Sequence, residues 1–252
     1  MNDKEPLSPA TIVTGAAQGI GRAIATRLIA EGADVTIFDV SDGVESTAAD
    51  IGAGGAVRID VTDIGSLQEA IHQVAAERGR LDVLVNCAGT NARDSFEDMN
   101  LAAWRRDIDT NLTAMAFACQ AAVFPHMRSQ GSGRLVNITS VSAKLGGVGP
   151  VYPDGAGGRS GAAYASAKAG TVNLCRWIAR QVGVWGITCN AVIPGPIASA
   201  MTATASYDLE AIPVPRMGKP EEVAAAVAYL VGPDSGYTTG ACMHVDGGMV
   251  LA

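Results

Sequence analysis

Tyr164 and Lys168 stand four residues apart in the stretch YASAK, a spacing that puts both side chains on one face of a helix. A free tyrosine titrates near 10 and is a poor base at neutral pH, but a neighbouring ammonium favours the phenolate. A drop of about three pH units requires roughly 4 kcal/mol of differential interaction, so the lysine needs a second positive charge beside it. The pair is thus suited to taking a proton from, or giving one to, a substrate oxygen.

The stretch TGAAQGIG follows an apolar run and opens a helical one, which places Gly15, Gly19 and Gly21 at a strand-to-helix turn. A helix N-terminus offers unpaired N–H groups and partial positive charge, and glycines let the backbone come close to a pyrophosphate. Asp39 ends the second apolar run, DVTIFD, 18 residues after Gly21. There a carboxylate accepts hydrogen bonds from an adenosine ribose and repels a 2'-phosphate, and no Arg or Lys directly follows it. These residues point to NAD rather than NADP, whose oxidised nicotinamide would supply the second charge beside Tyr164. A competing use for Asp39 is to cap the helix beginning near SDGVES.

Taken together, the motifs identify a family. TGAAQGIG, Asp60 and Val61, NCAG from Asn86 to Gly89, Asn111 in TNLTA, NITS ending at Ser140, YASAK, NAVIPGPIAS and a closing VDGG run along essentially the whole chain. On them the chain resembles the short-chain dehydrogenase/reductase family. The resemblance implies a Rossmann-like fold that holds NAD(P) and moves hydride between nicotinamide and a carbonyl or secondary alcohol carbon. It implies Tyr164 as acid/base, Ser140 as a hydrogen-bond partner of the substrate oxygen, Lys168 on the nicotinamide ribose, and Asn111 holding a water in a proton path. For the cofactor it implies Gly15, Gln18, Gly19, Ile20, Gly21 and Asp39 around the first turn, and Asp60 and Val61 near adenine. Asn86, Ala88 and Gly89 fall near the central strand end and ribose, Pro194 and Ile197 near the carboxamide. Ser199 keeps the hydroxyl where relatives often carry Thr.

One departure is conspicuous. Ser140 and Tyr164 are separated by 23 residues, about twice the family's usual gap, and the excess is GGVGPVYPDGAGGRSG, Gly146 to Gly161, with seven glycines and two prolines. Such composition resists helix and sheet and reads as a loop inserted at about 144–161. Tyr152 lies inside it, 12 positions after Ser140, and is nominated by spacing alone. Four residues beyond Tyr152 stands Ala156 rather than a lysine, with Pro153 and Gly155 between, so no ammonium shares its face. Ser142 rivals Ser140, since both follow the strand with the same alternation. The loop leaves the carboxyl end of a strand, the edge where parallel sheets place ligands, so Tyr152, Asp154 or Arg159 could touch substrate; a surface excursion or a subunit contact are the alternatives. The usual substrate lid, at about 199–219, is short and lacks helical periodicity.

The elements that must position these residues are legible as alternation. Seven short apolar runs, TIVTG, DVTIFD, AVRID, LDVLVN, RLVNITS, GITCNAVI and CMHVD, are separated mostly by segments of helical spacing such as IGRAIATRLIAEG and PEEVAAAVAYLVG. Strands apolar on both faces and joined by helices predict an α/β three-layer sandwich around a doubly wound parallel sheet of about seven strands, in a single domain spanning 1–252. A net charge of -7 and the absence of a basic cluster exclude nucleic acid and anionic membrane as partners. No apolar run is long enough for a membrane span, and a cytoplasmic location is expected. Five cysteines and three histidines are scattered, without a metal-ligand spacing. The helices around LAAWRRDIDTNLTAMAFACQAAVFPHM and beyond Tyr164, with Val172, Cys175, Ile178 and Val182, have more apolar surface than one sheet face can cover, and core packing explains most of it. Family members pair these helices between subunits, so a homotetramer is expected, or a dimer.

Overall fold

In a computed structural model describing residues 8–150, 159–203 and 205–251, the seven apolar runs form seven strands. These are β1 Ala10–Thr14, β2 Asp34–Asp39, β3 Gly55–Arg58, β4 Val83–Asn86, β5 Gly133–Ile138, β6 Ile187–Pro194 and β7 Cys242–Val245. They make one sheet in the order β3-β2-β1-β4-β5-β6-β7, every pair parallel. The helices are α1 Gly19–Ala30, α2 Val44–Ile51, α3 Ile64–Arg78, α4 Leu101–Ile108, α5 Ala114–Ala121, α6 Arg128–Gln130, α7 Ser142–Leu145, α8 Ala162–Val182 and α9 Pro220–Val231. The single α/β domain and its doubly wound sheet are as the alternation predicts.

Register explains the layers. Ile12, Leu84 and Leu135 lie abreast and face one side, where Leu67 and Ile71 of α3, Met115 of α5 and Ile178 of α8 cover them. Val13, Val85 and Val136, one residue on, face the other side against Ile24 and Leu28 of α1 and Val223 and Val227 of α9. Each fully buried aliphatic side chain contributes about 1.5–3 kcal/mol, which is why both strand faces are apolar. The strand order reverses between β1 and β4, so their carboxyl ends diverge and leave a crevice.

Core packing takes up the apolar face of α8, as expected for most of that surface. Val172, Cys175, Ile178 and Val182 are buried within the chain, because α8 lies flat along β6 and spends that face on the sheet. Exposed apolar side chains in this region include Leu101 on α4, Phe117 on α5, Phe124, Trp177 on α8 and Val184 just beyond it. No helix among the described residues is long and apolar enough to cross a membrane.

Candidate active site

A cleft of about 580 Å³ opens over the β1/β4 crevice and reaches the ends of β5 and β6. Its first wall is the glycine turn. Gly15 has φ +66°, and a Cβ there would fall 2.6 Å from the Ala88 Cα; a Cβ at Gly21 would collide with the Gly15 carbonyl oxygen. Thr14 locks the two strand ends together, its Oγ1 accepting from the N–H groups of Cys87 and Ala88 at 3.1 Å each. Helix α1 starts at Gly19 with no side-chain cap from Gln18 before it and no acidic residue in its first turn, so its N–H groups face the cleft available to an anion. Asp39 accepts from Ala17 N–H (2.9 Å) and Ser41 N–H (3.0 Å) and lines the same cleft. It does not cap α2, which begins at Val44 after Gly43 with no side-chain cap. Glycines that admit a close approach, a bare helix N-terminus and a carboxylate at the end of β2 fit a dinucleotide.

Gln18, Gly19, Ile20, Asp60, Val61, Ala88, Gly89, Pro194, Ile197 and Ser199 also line the cleft, as the resemblance implies. Asp60 folds its own turn, its Oδ1 accepting from Thr62 N–H and Oγ1–H. The hydroxyl of Ser199 meets Thr202 Oγ1 at 3.3 Å in a short 3₁₀ turn, Ala200–Thr202, the one helical piece between residues 199 and 219 among those described. Asn86 does not fit its expected place. Its amide points into the sheet interior, donating to Asn137 Oδ1 at 2.8 Å, and is absent from the cleft wall. The alternation of β4 puts it on the face covered by α5, beside Asn137 of β5 and Cys119.

The four expected catalytic residues meet at the other end of the cleft. Ser140 follows β5, Tyr164 and Lys168 ride one face of α8, and Asn111 sits in a π-helical turn, Asp109–Thr113, between α4 and α5. The widened turn frees backbone oxygens that side chains then take: Asn111 Nδ2 donates to the carbonyls of Asp107 and Thr90 at 2.8 Å each, and Thr171 Oγ1 donates to the Asn111 carbonyl at 3.1 Å. Asn111 Oδ1 is buried with no partner among the described residues. A Cβ on Gly89 would fall 2.8 Å from that oxygen and 3.6 Å from Lys168 Nζ, so both groups look onto the space that this glycine leaves open.

Electrostatics depart from expectation at Tyr164. Burial pushes its hydroxyl up to about 12, and a hydrogen bond with Ser140 offsets only part of this; Tyr207 and Asp107 add to the rise, while Arg93 opposes it. Lys168 Nζ lies 5.6 Å from the Tyr164 ring centroid and donates to the Ile138 carbonyl at 2.9 Å, and burial brings its own pKa down to about 8. The phenol is therefore a neutral acid until positive charge arrives beside it.

Other groups at the site escaped sequence reasoning. Asp107 is fully buried, accepting from Thr90 Oγ1 and Ala92 N–H at 2.8 Å each, and so fixes the loop that carries Asn91 and Arg93 along the cleft. Nothing in WRRDIDT distinguishes it from a solvated helix carboxylate. Tyr207 also lines the cleft. Ser142 is not the catalytic hydroxyl's equal: its N–H donates to Ser140 Oγ (3.1 Å) and its own Oγ to Ser160 (3.2 Å), so it positions. The insertion's stem enters the site. Ser160 N–H donates to the Val148 carbonyl (2.8 Å), and Val148 and Ser160 both line the cleft. Arg159 gives its guanidinium to the carbonyls of Leu145, Gly146 and Gly149, closing the stem rather than reaching the cleft. Tyr152 and Asp154 lie outside the described residues.

Comparison with known proteins agrees with this geometry. Residues 15–250 match a family model described as enoyl-(acyl carrier protein) reductase. The 3-oxoacyl-[acyl-carrier-protein] reductase FabG of Salmonella typhimurium is 37% identical over 247 residues, covering 95% of this chain and 96% of the relative. A cis-4-hydroxycyclohexanecarboxylate dehydrogenase of Sinomonas cyclohexanicum is 38% identical over 247 residues, 94% of each chain. Among solved structures, a blue fluorescent protein from a metagenomic library in complex with NADPH superimposes with a TM-score of 0.86 at 32% identity, covering 96% of this chain and 98% of its own.

Proposed function

The chain belongs to the short-chain dehydrogenase/reductase family, and from that premise we propose that it is an NAD-dependent oxidoreductase acting between a secondary alcohol and its ketone. The observation that carries the reading is convergence: Tyr164 hydrogen-bonded to Ser140, with Lys168 Nζ and the unpartnered Asn111 Oδ1 facing one space over Gly89. Asp39 at the end of β2 supports NAD, since a 2'-phosphate would meet its charge.

Tyr164 Oη takes the proton of the substrate hydroxyl during oxidation, or gives one to the carbonyl oxygen during reduction, and Ser140 Oγ holds the same oxygen from a second side. When bound, an oxidised nicotinamide supplies the hydride acceptor and the positive charge that the buried phenol needs. The first-turn N–H groups of α1 would hold the pyrophosphate, and Lys168 the nicotinamide ribose. Asn111 Oδ1 is placed to accept from a water, which carries the proton onward from Lys168.

A second reading is a carbonyl reductase of the 3-oxoacyl carrier-protein type. It is favoured by the activity of the Salmonella relative. The Sinomonas relative, a dehydrogenase, supports the first. Initial rates with NAD+ and NADP+ across secondary alcohols, sugars, hydroxy acids and steroids, and with NADH and NADPH across the matching ketones and 3-oxoacyl thioesters, separate the two. NAD+ reduction exceeding the NADP+ rate is the expected result; NADPH-only reduction of 3-oxoacyl thioesters would reverse the ranking. We further propose a cytoplasmic homotetramer joined through α5 and α8, whose Phe117 and Trp177 are exposed. Light scattering at micromolar concentration would give a four-chain mass, and a monomer would refute it.

A further inference from the structure

The side chain that α4 buries is a carboxylate. Asp107 has no exposure, a costly place for a charge unless its oxygens are satisfied. Its Oδ1 accepts from Thr90 Oγ1 and its Oδ2 from Ala92 N–H, at 2.8 Å each. Arg106 Nε stands 3.6 Å from Oδ1, beyond hydrogen-bond reach and on a half-exposed side chain, so it offsets the charge without holding the carboxylate.

The two carbonyls that hold Asn111 belong to the two residues this carboxylate ties together. Asn111 Nδ2 donates to the carbonyls of Thr90 and Asp107, and the bond from Thr90 Oγ1 to Asp107 Oδ1 fixes one residue against the other. Carbonyl oxygens only accept, so the amide nitrogen must face them and the amide oxygen must face away. Away is the space over Gly89, onto which Lys168 Nζ also looks. The same loop meets the start of α8 as well, since Asn91 Oδ1 accepts from Gly161 N–H at 3.2 Å. The charge of Asp107 reaches both members of the catalytic pair, opposing a Tyr164 phenolate and favouring a Lys168 ammonium.

We propose that Asp107 is a positioning residue for the proton transfer: its carboxylate fixes Thr90, the Thr90 and Asp107 carbonyls fix the Asn111 amide, and the Asn111 oxygen is thereby held toward Lys168. The inference rests on the oxidoreductase reading and adds a residue to it.

The test is a double-mutant cycle on kcat, with NAD+ and either cyclohexanol or methyl 3-hydroxybutyrate as probe, beside NADH affinity from fluorescence titration. Asp107→Ala should lower kcat by about 10- to 100-fold while the NADH dissociation constant stays within about twofold, since the first-turn glycines lie at the other end of the cleft. Asp107→Asn, which can accept from Ala92 and donate to Thr90, should restore kcat to within about threefold of the wild type. Thr90→Val removes one bond without touching the carboxylate and should cost about 3- to 10-fold in kcat. In an Asn111→Ala background, Asp107→Ala should lower kcat by no more than about threefold further, because the group it positions is gone. Losses that add in full would mean that Asp107 acts elsewhere, for instance through the start of α8, and overturn the proposal; so would a failure of Asp107→Asn to restore kcat. A second arm needs no turnover. In isotope-labelled protein the NMR signals of the Asn111 side-chain amide, assigned by their absence from Asn111→Ala, should exchange slowly with solvent, at least about 10-fold faster in Asp107→Ala, and slowly again in Asp107→Asn. Exchange that is equally slow in Asp107→Ala overturns the proposal. That expected exchange pattern, in a wild-type protein that turns over no alcohol or ketone with either dinucleotide, would sink the oxidoreductase reading and leave the coupling of Asp107 to Asn111 standing.

Discussion

Replacing Lys168 by methionine tests whether the amine is buried as a strained charge. The side chain is 5% exposed, and burial lowers its pKa from 10.5 to about 8. Between those two values the unfolded chain holds a proton that the folded one has released, so this group makes stability rise with pH across that window. Below about pH 8 both states are charged and the full cost of burying the ammonium is felt, about 3 kcal/mol at 1.36 kcal/mol per pH unit. Lys168→Met removes that cost at every pH. It also strips the Ile138 carbonyl of its 2.9 Å donor, a loss of about 1–3 kcal/mol that does not depend on pH. At pH 7 the variant should therefore be as stable as the wild type or more so by up to about 2 kcal/mol, while losing turnover. The pH dependence is the sharper quantity, because the carbonyl cancels in it. From pH 7 to 9.5 the advantage of the variant should shrink by about 2 kcal/mol, as the wild type sheds its buried charge. Urea unfolding of both proteins without dinucleotide, at several pH values across that range, measures it. A difference that stays constant from pH 7 to 9.5 would refute the idea that Lys168 is held charged against burial.

Two further outcomes follow from the groups around it. Asp107→Ala leaves Thr90 Oγ1 and Ala92 N–H without an acceptor and should cost about 1–3 kcal/mol, seen as a melting temperature lower by roughly 3–10 °C, whereas Asp107→Asn, which can turn its amide to keep both bonds, should restore most of the loss. Replacing residues 147–160 with a tight turn removes Val148 and Ser160 from the cleft wall, and should change substrate preference while leaving the NAD dissociation constant within about twofold; unchanged kinetics would place the insertion outside catalysis.

What the sequence disclosed was mostly local. The glycine turn, the seven strands and the Tyr164–Lys168 face are each set by contiguous residues, and helical or strand periodicity alone orients them. Asn86 shows the limit. It belongs to a recognisable motif, yet strand alternation sends its amide to Asn137 on a neighbouring strand 51 residues later, a partner that no local pattern reveals. Asp107 and Arg93 were invisible for the converse reason: charged residues near a helix are usually solvated, and only the packed fold brings Asp107 to zero exposure and turns Arg93 along the cleft. The pKa of Tyr164 rises because burial, which a four-residue spacing does not reveal, outweighs the Ser140 hydrogen bond. The Lys168 amine ends on the Ile138 carbonyl. The apolar face of α8 is covered by β6, the core packing that its periodicity leads one to expect.

The claim on which the account depends is that the hydroxyl at position 164 moves the proton. Steady-state rates of Tyr164→Phe and Tyr152→Phe, each with its dinucleotide affinity measured separately, address it directly. The account predicts that Tyr164→Phe binds dinucleotide as the wild type does and loses turnover by a factor of about 10² to 10⁴ or more, with Tyr152→Phe close to wild type in kcat. Near-normal turnover in Tyr164→Phe, with turnover lost in Tyr152→Phe, would contradict it.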